Sequence, residues 1–260
     1  MKFHATILIL VLILINMIPT QAPAQDGRRI IDSLYMSSGR LPINDLVADV
    51  EVFAPLEKQK GATSLSLASK DKVVFKKPNK LKLDIIINDP GGALDGKQMT
   101  IIRDGVQCWQ YVSAGQYPVK KKPDEPSPTL NLPPNIQVYP QDANNIYTVI
   151  GKEKISKINT TKVKIDDKGT GEITIIWVDT KRWVPVKMEK KVPDPKGKGS
   201  PITKTVNYRE FRQLKDGRWF PFVLEVKVNG KTNRVVVYKA LSINVGVEDH
   251  LFEPMKKFIK

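Results

Sequence analysis

Histidine and cysteine most often carry nucleophilic or metal chemistry, and both are scarce here. The 260-residue sequence holds two histidines, His4 and His250, and one cysteine, Cys108. His4 falls in the expected leader, and the one histidine and one distant cysteine that remain are too few for a His/Cys metal site, so no metal cofactor is expected. Ser-His-Asp catalysis needs a histidine beside a nucleophilic serine, and no Gly-x-Ser-x-Gly elbow occurs. His250 lies in Val247-Glu248-Asp249-His250-Leu251-Phe252, which reads as a short terminal helical turn with the histidine on the surface or at a cap. Cys108 precedes Trp109 in a strand-like run, and no histidine adjoins it. A buried inert thiol is expected there. The carboxylates Asp104, Asp179 and Asp216 sit in turn-forming contexts, where aspartate bonds its own backbone. A secreted hydrolase would need two carboxylates facing each other across a cleft. Sequence leaves such a pair open, and nothing points to one. Gly91-Gly92, after Pro90, lacks the strand-to-helix context of a phosphate cradle and reads as a loop. Asn159-Thr160-Thr161 matches a glycosylation acceptor by pattern only.

Lys2 gives a short positive start, and Ile7 to Ile18 is apolar except for Asn16. Pro19 ends the run, and Ala22-Pro23-Ala24 puts small residues at the −3 and −1 positions of a signal-peptidase site. The sequence predicts a signal peptide over residues 1–24, cleaved after Ala24, and export to the periplasm. The alternative, an uncleaved anchor, would need an apolar run of about 20 residues. The remaining chain, 25–260, suits one domain with a sizeable core. It has no second cysteine for a disulfide and must rely on packing.

The formal net charge is +15. Such a balance often marks nucleic-acid binding. Export argues against that partner and favours a membrane surface or an acidic protein. A basic surface that only aids solubility is the plain alternative.

Ile30, Ile31, Leu34 and Tyr35 recur at helical spacing, with Asp26 as a candidate N-cap and Gly39 as a stop. From Leu46 the period becomes two, as in strands with one buried face. Val50 and Val52, then Leu65 and Leu67, then Leu81, Leu83, Ile85 and Ile87, alternate with other residues. Asp104-Gly105, Asp216-Gly217 and Asn229-Gly230 supply the positive φ angles of tight hairpins. Nearly every connection therefore joins neighbours, and helical patterns between strands are absent. Roughly ten or eleven antiparallel strands are expected. Ser113 to Asn145 breaks the rhythm with seven prolines and Lys120-Lys121-Lys122. Proline at that density does not continue a ladder, and a lid or binding loop is expected. A smaller loop is expected from Pro193 to Pro201.

So large a sheet, with one helix and one lid to cover it, should curl around an apolar interior. Two uses of that interior stay open. It could hold an acyl chain, at about 0.8 kcal/mol per buried CH₂. Alternatively, Trp109, Tyr111, Trp177, Met188, Phe220 and Phe222 could fill it themselves.

The order of motifs resembles a known family. Tyr147-Thr-Val-Ile-Gly151-Lys-Glu-Lys precedes Thr161-Lys-Val-Lys-Ile165. Ile176-Trp-Val-Asp179 then turns into Trp183-Val-Pro-Val-Lys-Met-Glu189, and Ile243-Asn-Val-Gly-Val247 and Leu251-Phe252 close the chain. The N-terminal half agrees more loosely, through Ala48 to Glu51, Lys77 to Lys80 and Asp104 to Tyr111. This succession resembles the outer-membrane lipoprotein-sorting proteins, relatives of the periplasmic carrier LolA. The resemblance implies a mainly β fold, an incomplete antiparallel β-barrel whose mouth is closed by helices over an apolar cavity. It implies a non-enzymatic carrier of lipid or lipoprotein acyl chains, with membrane surfaces or inner- and outer-membrane proteins as further partners. An envelope sensor that reads a protein or peptide on the same fold is the alternative. The cavity-lining positions expected are Val50, Val52, Leu65, Leu67, Leu83, Ile85, Ile101, Trp109, Tyr111, Ile175, Trp177, Val186, Met188, Phe220, Phe222 and Leu224. Lys120, Lys121 and Lys122 are expected to meet lipid headgroups. A one-residue register error would invert any strand's set.

Overall fold

The computed structural model describes residues 23–36, 43–55, 64–112, 116–121, 144–192 and 201–255. Helix α1 is Pro23–Tyr35, and a 3-10 turn covers Asp249–Phe252. The strands are β1 (Asp45–Pro55), β2 (Leu65–Lys76), β3 (Lys80–Ile87), β4 (Gln98–Arg103), β5 (Cys108–Val112) and β6 (Gln116–Lys121). They continue with β7 (Asn145–Ile155), β8 (Ile158–Asp167), β9 (Ile173–Asp179), β10 (Val184–Val192), β11 (Ile202–Gln213), β12 (Trp219–Val228) and β13 (Lys231–Ile243).

All thirteen strands belong to one sheet in the order β6-β5-β4-β3-β2-β1-β13-β12-β11-β10-β9-β8-β7. Every pairing is antiparallel, and every one except β1 with β13 joins chain neighbours. The sheet is open, with edges β6 and β7. Ten or eleven strands were expected from the sequence. One addition is β6, inside the Pro-rich stretch that was expected to be irregular. Pro118 is tolerated there because β6 is an edge strand, where a missing N–H need not break a ladder. Its pairing with β5 is also irregular between Gln110 and Val112.

Turn chemistry places the hairpins. The Asp104 Oδ1 accepts the N–H groups of Val106 and Gln107 at 2.8 and 2.7 Å. Asp179 Oδ1 accepts from Lys181 at 2.9 Å, and Asp216 Oδ1 from Arg218 at 3.1 Å. Asn229 and Gly230 adopt φ of 48° and 79°, the left-handed pair that a two-residue hairpin needs.

Two of the sheet's register shifts bear on the expected cavity positions. β1–β2 pairing steps from Val52↔Ser69 to Phe53↔Leu67, so Ala68 is an extra residue in β2. β10 steps from Pro185↔Val178 to Lys187↔Trp177, which makes Val186 the extra residue there. Past such a point, the side chains of a strand change face.

The helix begins at Pro23, ahead of the expected cap at Asp26. Ile31 and Leu34 are fully buried against Tyr147, Val163, Ile176 and Val178. Gly27 is required by this docking. A Cβ there would lie 2.9 Å from the Tyr147 carbonyl. Gly39, the smaller loop 193–200 and the cleavage site's upstream residues lie outside the described residues. No described helix is long and apolar enough to cross a membrane.

Candidate functional site

The sheet has two faces with different chemistry. One apolar cluster runs without interruption from β5 through β4, β3, β2, β1, β13 and β12 to β11. Cys108, Ile101, Leu83, Phe75, Val50, Tyr238, Phe222 and Val206 are among its members. A second cluster carries the same face across β9, β8 and β7 under α1, and Met188 packs against both. This face is the inside of the curl, and it is the candidate binding surface.

Its centre is aromatic. Phe220 is 0% exposed. Its ring meets Phe222 and Tyr238 edge-on, at centroid distances of 5.8 and 5.3 Å. Burial raises the Tyr35 hydroxyl to about 12, aided by Tyr147. Burial also pushes Tyr208 and Tyr238 well up, so all three phenols stay neutral. Charged residues also take inward register positions, Asp71 and Arg234 among them. Asp71 pairs with Val50 and Ile85, and Arg234 pairs with Val226, all of which belong to or pack on the interior cluster. Desolvation raises the Asp71 carboxyl, opposed by a Ser69 hydrogen bond and the Arg234 charge.

The sixteen cavity positions expected from sequence divide accordingly. Val50, Leu83, Ile101, Phe220, Phe222 and Leu224 share the inner cluster, with Val52, Ile85 and Met188 packed against it. Val186 is buried at the β10 bulge. The other six need correction. Trp109 and Tyr111 lie on the opposite, outer face, under Val247, Leu251, Phe252 and Met255. Trp177 is also outward. It is 3% exposed because Lys162 and Lys187 lie over its ring at 4.9 and 4.3 Å, and its Nε1–H donates to Glu153 at 2.7 Å. Ile175 shares that face, paired with Lys164 and Glu189. Leu65 and Leu67 fall beyond the Ala68 bulge, opposite Pro55 and Phe53, outside the inner cluster. The side chains of Lys120 and Lys121, and all of Lys122, lie outside the described residues.

Sequence reasoning missed the outer-face clamp. Asp45 accepts N–H bonds from Val245, Gly246 and Val247 at 2.7, 3.2 and 3.4 Å. Lys76 Nζ donates to the Val247 carbonyl at 2.7 Å and pairs with Asp249, which Lys80 also meets. Those two lysines hold the Asp249 carboxyl below its ordinary range. Sequence reasoning also missed Asp71 and Arg234, although each interrupts an otherwise apolar inward set. His250 pairs with Glu248 on the exposed 3-10 turn. Among the described residues, no group of three or more His, Cys, Asp or Glu side chains could hold a metal ion.

No family model matches the chain, and no curated protein matches it. Solved structures do. A putative outer membrane lipoprotein-sorting protein domain from Vibrio parahaemolyticus aligns with TM-score 0.60 at 16% identity, over 88% of this chain and 96% of that one. A DUF1329 family protein from Desulfovibrio piger aligns with TM-score 0.62 at 14% identity, over 89% and 97%. A LolA superfamily protein from Nitrosomonas europaea aligns with TM-score 0.55 at 14% identity, over 90% and 98%. The chain is therefore LolA-like in fold, an incomplete antiparallel β-barrel shared along nearly its whole described length with the lipoprotein-sorting and LolA-superfamily structures.

Proposed function

We propose that this protein is an exported, non-enzymatic binding protein that holds acyl chains of lipoproteins or lipids against the inner face of its sheet. In this reading the leader is removed after Ala24 and the protein works in the periplasm. The observation that carries the proposal is the continuous apolar inner face, on a fold shared with a lipoprotein-sorting domain. An acyl chain needs little more than such a surface, since each CH₂ removed from water contributes about 0.8 kcal/mol. Helix α1 covers the β7–β9 part of that face. Specific polar contacts would then only orient the headgroup.

Mass spectrometry of an organic extract of the purified protein tests this. Acyl lipid in roughly stoichiometric amount is expected. Protein that carries none, and takes up none from lipid-loaded vesicles, sinks the proposal. One observation favours the alternative of an envelope sensor on the same fold. The Phe220, Phe222 and Tyr238 rings fill part of the interior themselves, which would leave recognition to the surface. A stoichiometric co-purified protein, with no lipid in the extract, would select the sensor.

A further inference from the structure

The β7–β8 hairpin outruns the sheet beside it. Its two strands stay paired as far as Ile155↔Ile158, and Ser156 and Lys157 close the turn at φ of 46° and 70°. β9 stops earlier. Its last pair with β8 is Thr161↔Val178, after which Asp179 to Arg182 turn into β10. The step leaves a cleft of about 420 Å³ between the hairpin and Thr180 of that turn, lined by Lys152, Glu153, Lys154, Asn159, Thr160 and Thr161. Small-molecule sites commonly have volumes of about 300–1,000 Å³.

The register sorts the lining by chemistry. A shift between Val149 and Gly151 sets Lys152 opposite Thr161 and Lys154 opposite Asn159. These four share the side of Val163, which is fully buried on the inner face. Cross-strand neighbours stand about 4.5–5.5 Å apart at Cβ, so two ammonium groups, an amide and a hydroxyl gather on one patch. None of these four side chains, nor that of Thr180, has a hydrogen-bond or ion partner among the described residues. Glu153 takes the other side. Its carboxylate accepts the Trp177 Nε1–H at 2.7 Å and pairs with Lys162 at 3.8 Å. The Thr160 hydroxyl donates to the Glu153 carbonyl at 2.6 Å. Asp179, in the neighbouring turn, is engaged by Arg182 at 2.6 Å. Both nearby carboxylates thus have their own cation, and the charges of Lys152 and Lys154 are left over.

A ligand that completes this patch must be an anion able to accept several hydrogen bonds. A carboxylate brings one charge and two oxygens. A phosphate monoester brings a charge of about −1.5 to −2 at neutral pH and three strong acceptor oxygens, a closer match to two ammonium groups and the neutral donors beside them. The geometry points to this cleft as a binding site for a phosphomonoester group. Thr161 pairs with Val178 of the apolar cluster under α1, so the site adjoins the inner face. The phosphate could therefore belong to the headgroup of an acyl lipid or to a soluble ester.

Calorimetric titration of the full-length protein with three probes tests this. Oleoyl lysophosphatidate and monoolein, both supplied from cyclodextrin, share chain, ester and glycerol, and only the first carries phosphate. Glycerol phosphate carries the phosphate without the chain. Lysophosphatidate should bind about tenfold more tightly than monoolein, the worth of one hydrogen bond to a charged group. That gain should vanish in the double variant Lys152→Gln/Lys154→Gln. It should persist in Lys168→Gln/Lys231→Gln, which removes the same charge from the far end of the sheet. All four lysines are exposed, so both variants should fold, with melting temperatures as the check. Glycerol phosphate bound as tightly as lysophosphatidate supports the site with a soluble ester as its source, whereas weaker binding supports a lipid headgroup. Equal affinity for the two lipids, with no binding of glycerol phosphate, overturns the inference and leaves the acyl-binding reading standing. A gain that survives in the cleft variant, or is lost equally in the control variant, also overturns it. Glycerol phosphate bound while neither lipid binds supports the site and overturns the acyl-binding reading instead.

Discussion

Truncating Phe220 to alanine probes both the packing of the inner face and its use. The ring is fully buried and sits edge-on to Phe222 and Tyr238 at 5.8 and 5.3 Å. Full burial of a Phe side chain contributes up to about 3 kcal/mol. Each edge-to-face pair adds about 0.5–1.5 kcal/mol. The strands on either side limit relaxation into the void. A loss of about 4 kcal/mol is therefore expected, within the usual range of about 3–5 kcal/mol for buried Phe→Ala. Urea denaturation followed by tryptophan fluorescence measures it, with an unchanged m-value as the check that the unfolded state is the same. Repeating the denaturation with an acyl lipid that the protein takes up from vesicles, at about 100 times its dissociation constant, should restore about 2.7 kcal/mol. A loss below about 1 kcal/mol, typical of a surface change, would show that the aromatic centre is not tightly packed. No lipid-dependent gain in either protein would show that acyl chains do not occupy this face.

Other predictions follow from the outer face and from charge. Asp45→Ala removes three backbone bonds to a buried carboxylate. It should cost about 2–4 kcal/mol and make the segment after Ile243 cleavable in limited proteolysis. An unchanged proteolysis pattern would rule out the clamp. Trp177→Phe should cost about 1–2 kcal/mol through loss of the Glu153 bond, yet leave uptake of lipid from vesicles unaltered, because the ring faces outward. Glu225 is partly desolvated. Its hydrogen bonds from Thr232 and Asn207, with the Arg209 and Lys227 charges, nonetheless hold it below its ordinary pKa. Its contribution is present above the unfolded value and is lost as pH falls through the lower folded value. The wild type should therefore lose more stability on acidification than Glu225→Gln, measured by thermal melts from pH 6 down to about pH 3. Equal acid sensitivity would refute the assignment.

Much of the sheet was legible because its hairpins carry local chemistry. Asp104, Asp179 and Asp216 bond the turns that follow them, and Asn229-Gly230 supplies the left-handed pair. These are short-range effects that a sequence displays directly. The facing of side chains was less legible, for two physical reasons. At β5 and β9 both faces are covered, one by the interior and the other by the C-terminal segment or by lysine stems. Trp109, Tyr111 and Trp177 are then apolar on the outer side, and alternation no longer tells inside from outside. At Ala68 and Val186 a bulge changes the parity within one strand, and neither position carries a residue that announces it. The inner charged pair was missed because Asp71 and Arg234 are distant in sequence. Only the pairing of β1 with both β2 and β13 brings them together.

The strand order has a consequence for how the chain assembles. The middle of the sheet is made by the first and last strands, while its free edges come from the middle of the chain. During synthesis the first six strands can form a meander by local hairpins, and so can the last seven. The two meanders remain separate until β13 exists to meet β1. Until then β1 is itself an edge, carrying Leu46, Ala48, Val50 and Val52 with unpaired backbone beside them. Such an edge invites pairing with other chains. The final join also spans almost the whole sequence, so its loop-closure entropy is overcome only late. Aggregation during folding should thus originate at β1, and an early-binding chaperone that shields this strand would protect the nascent protein more than one that shields β6 or β7.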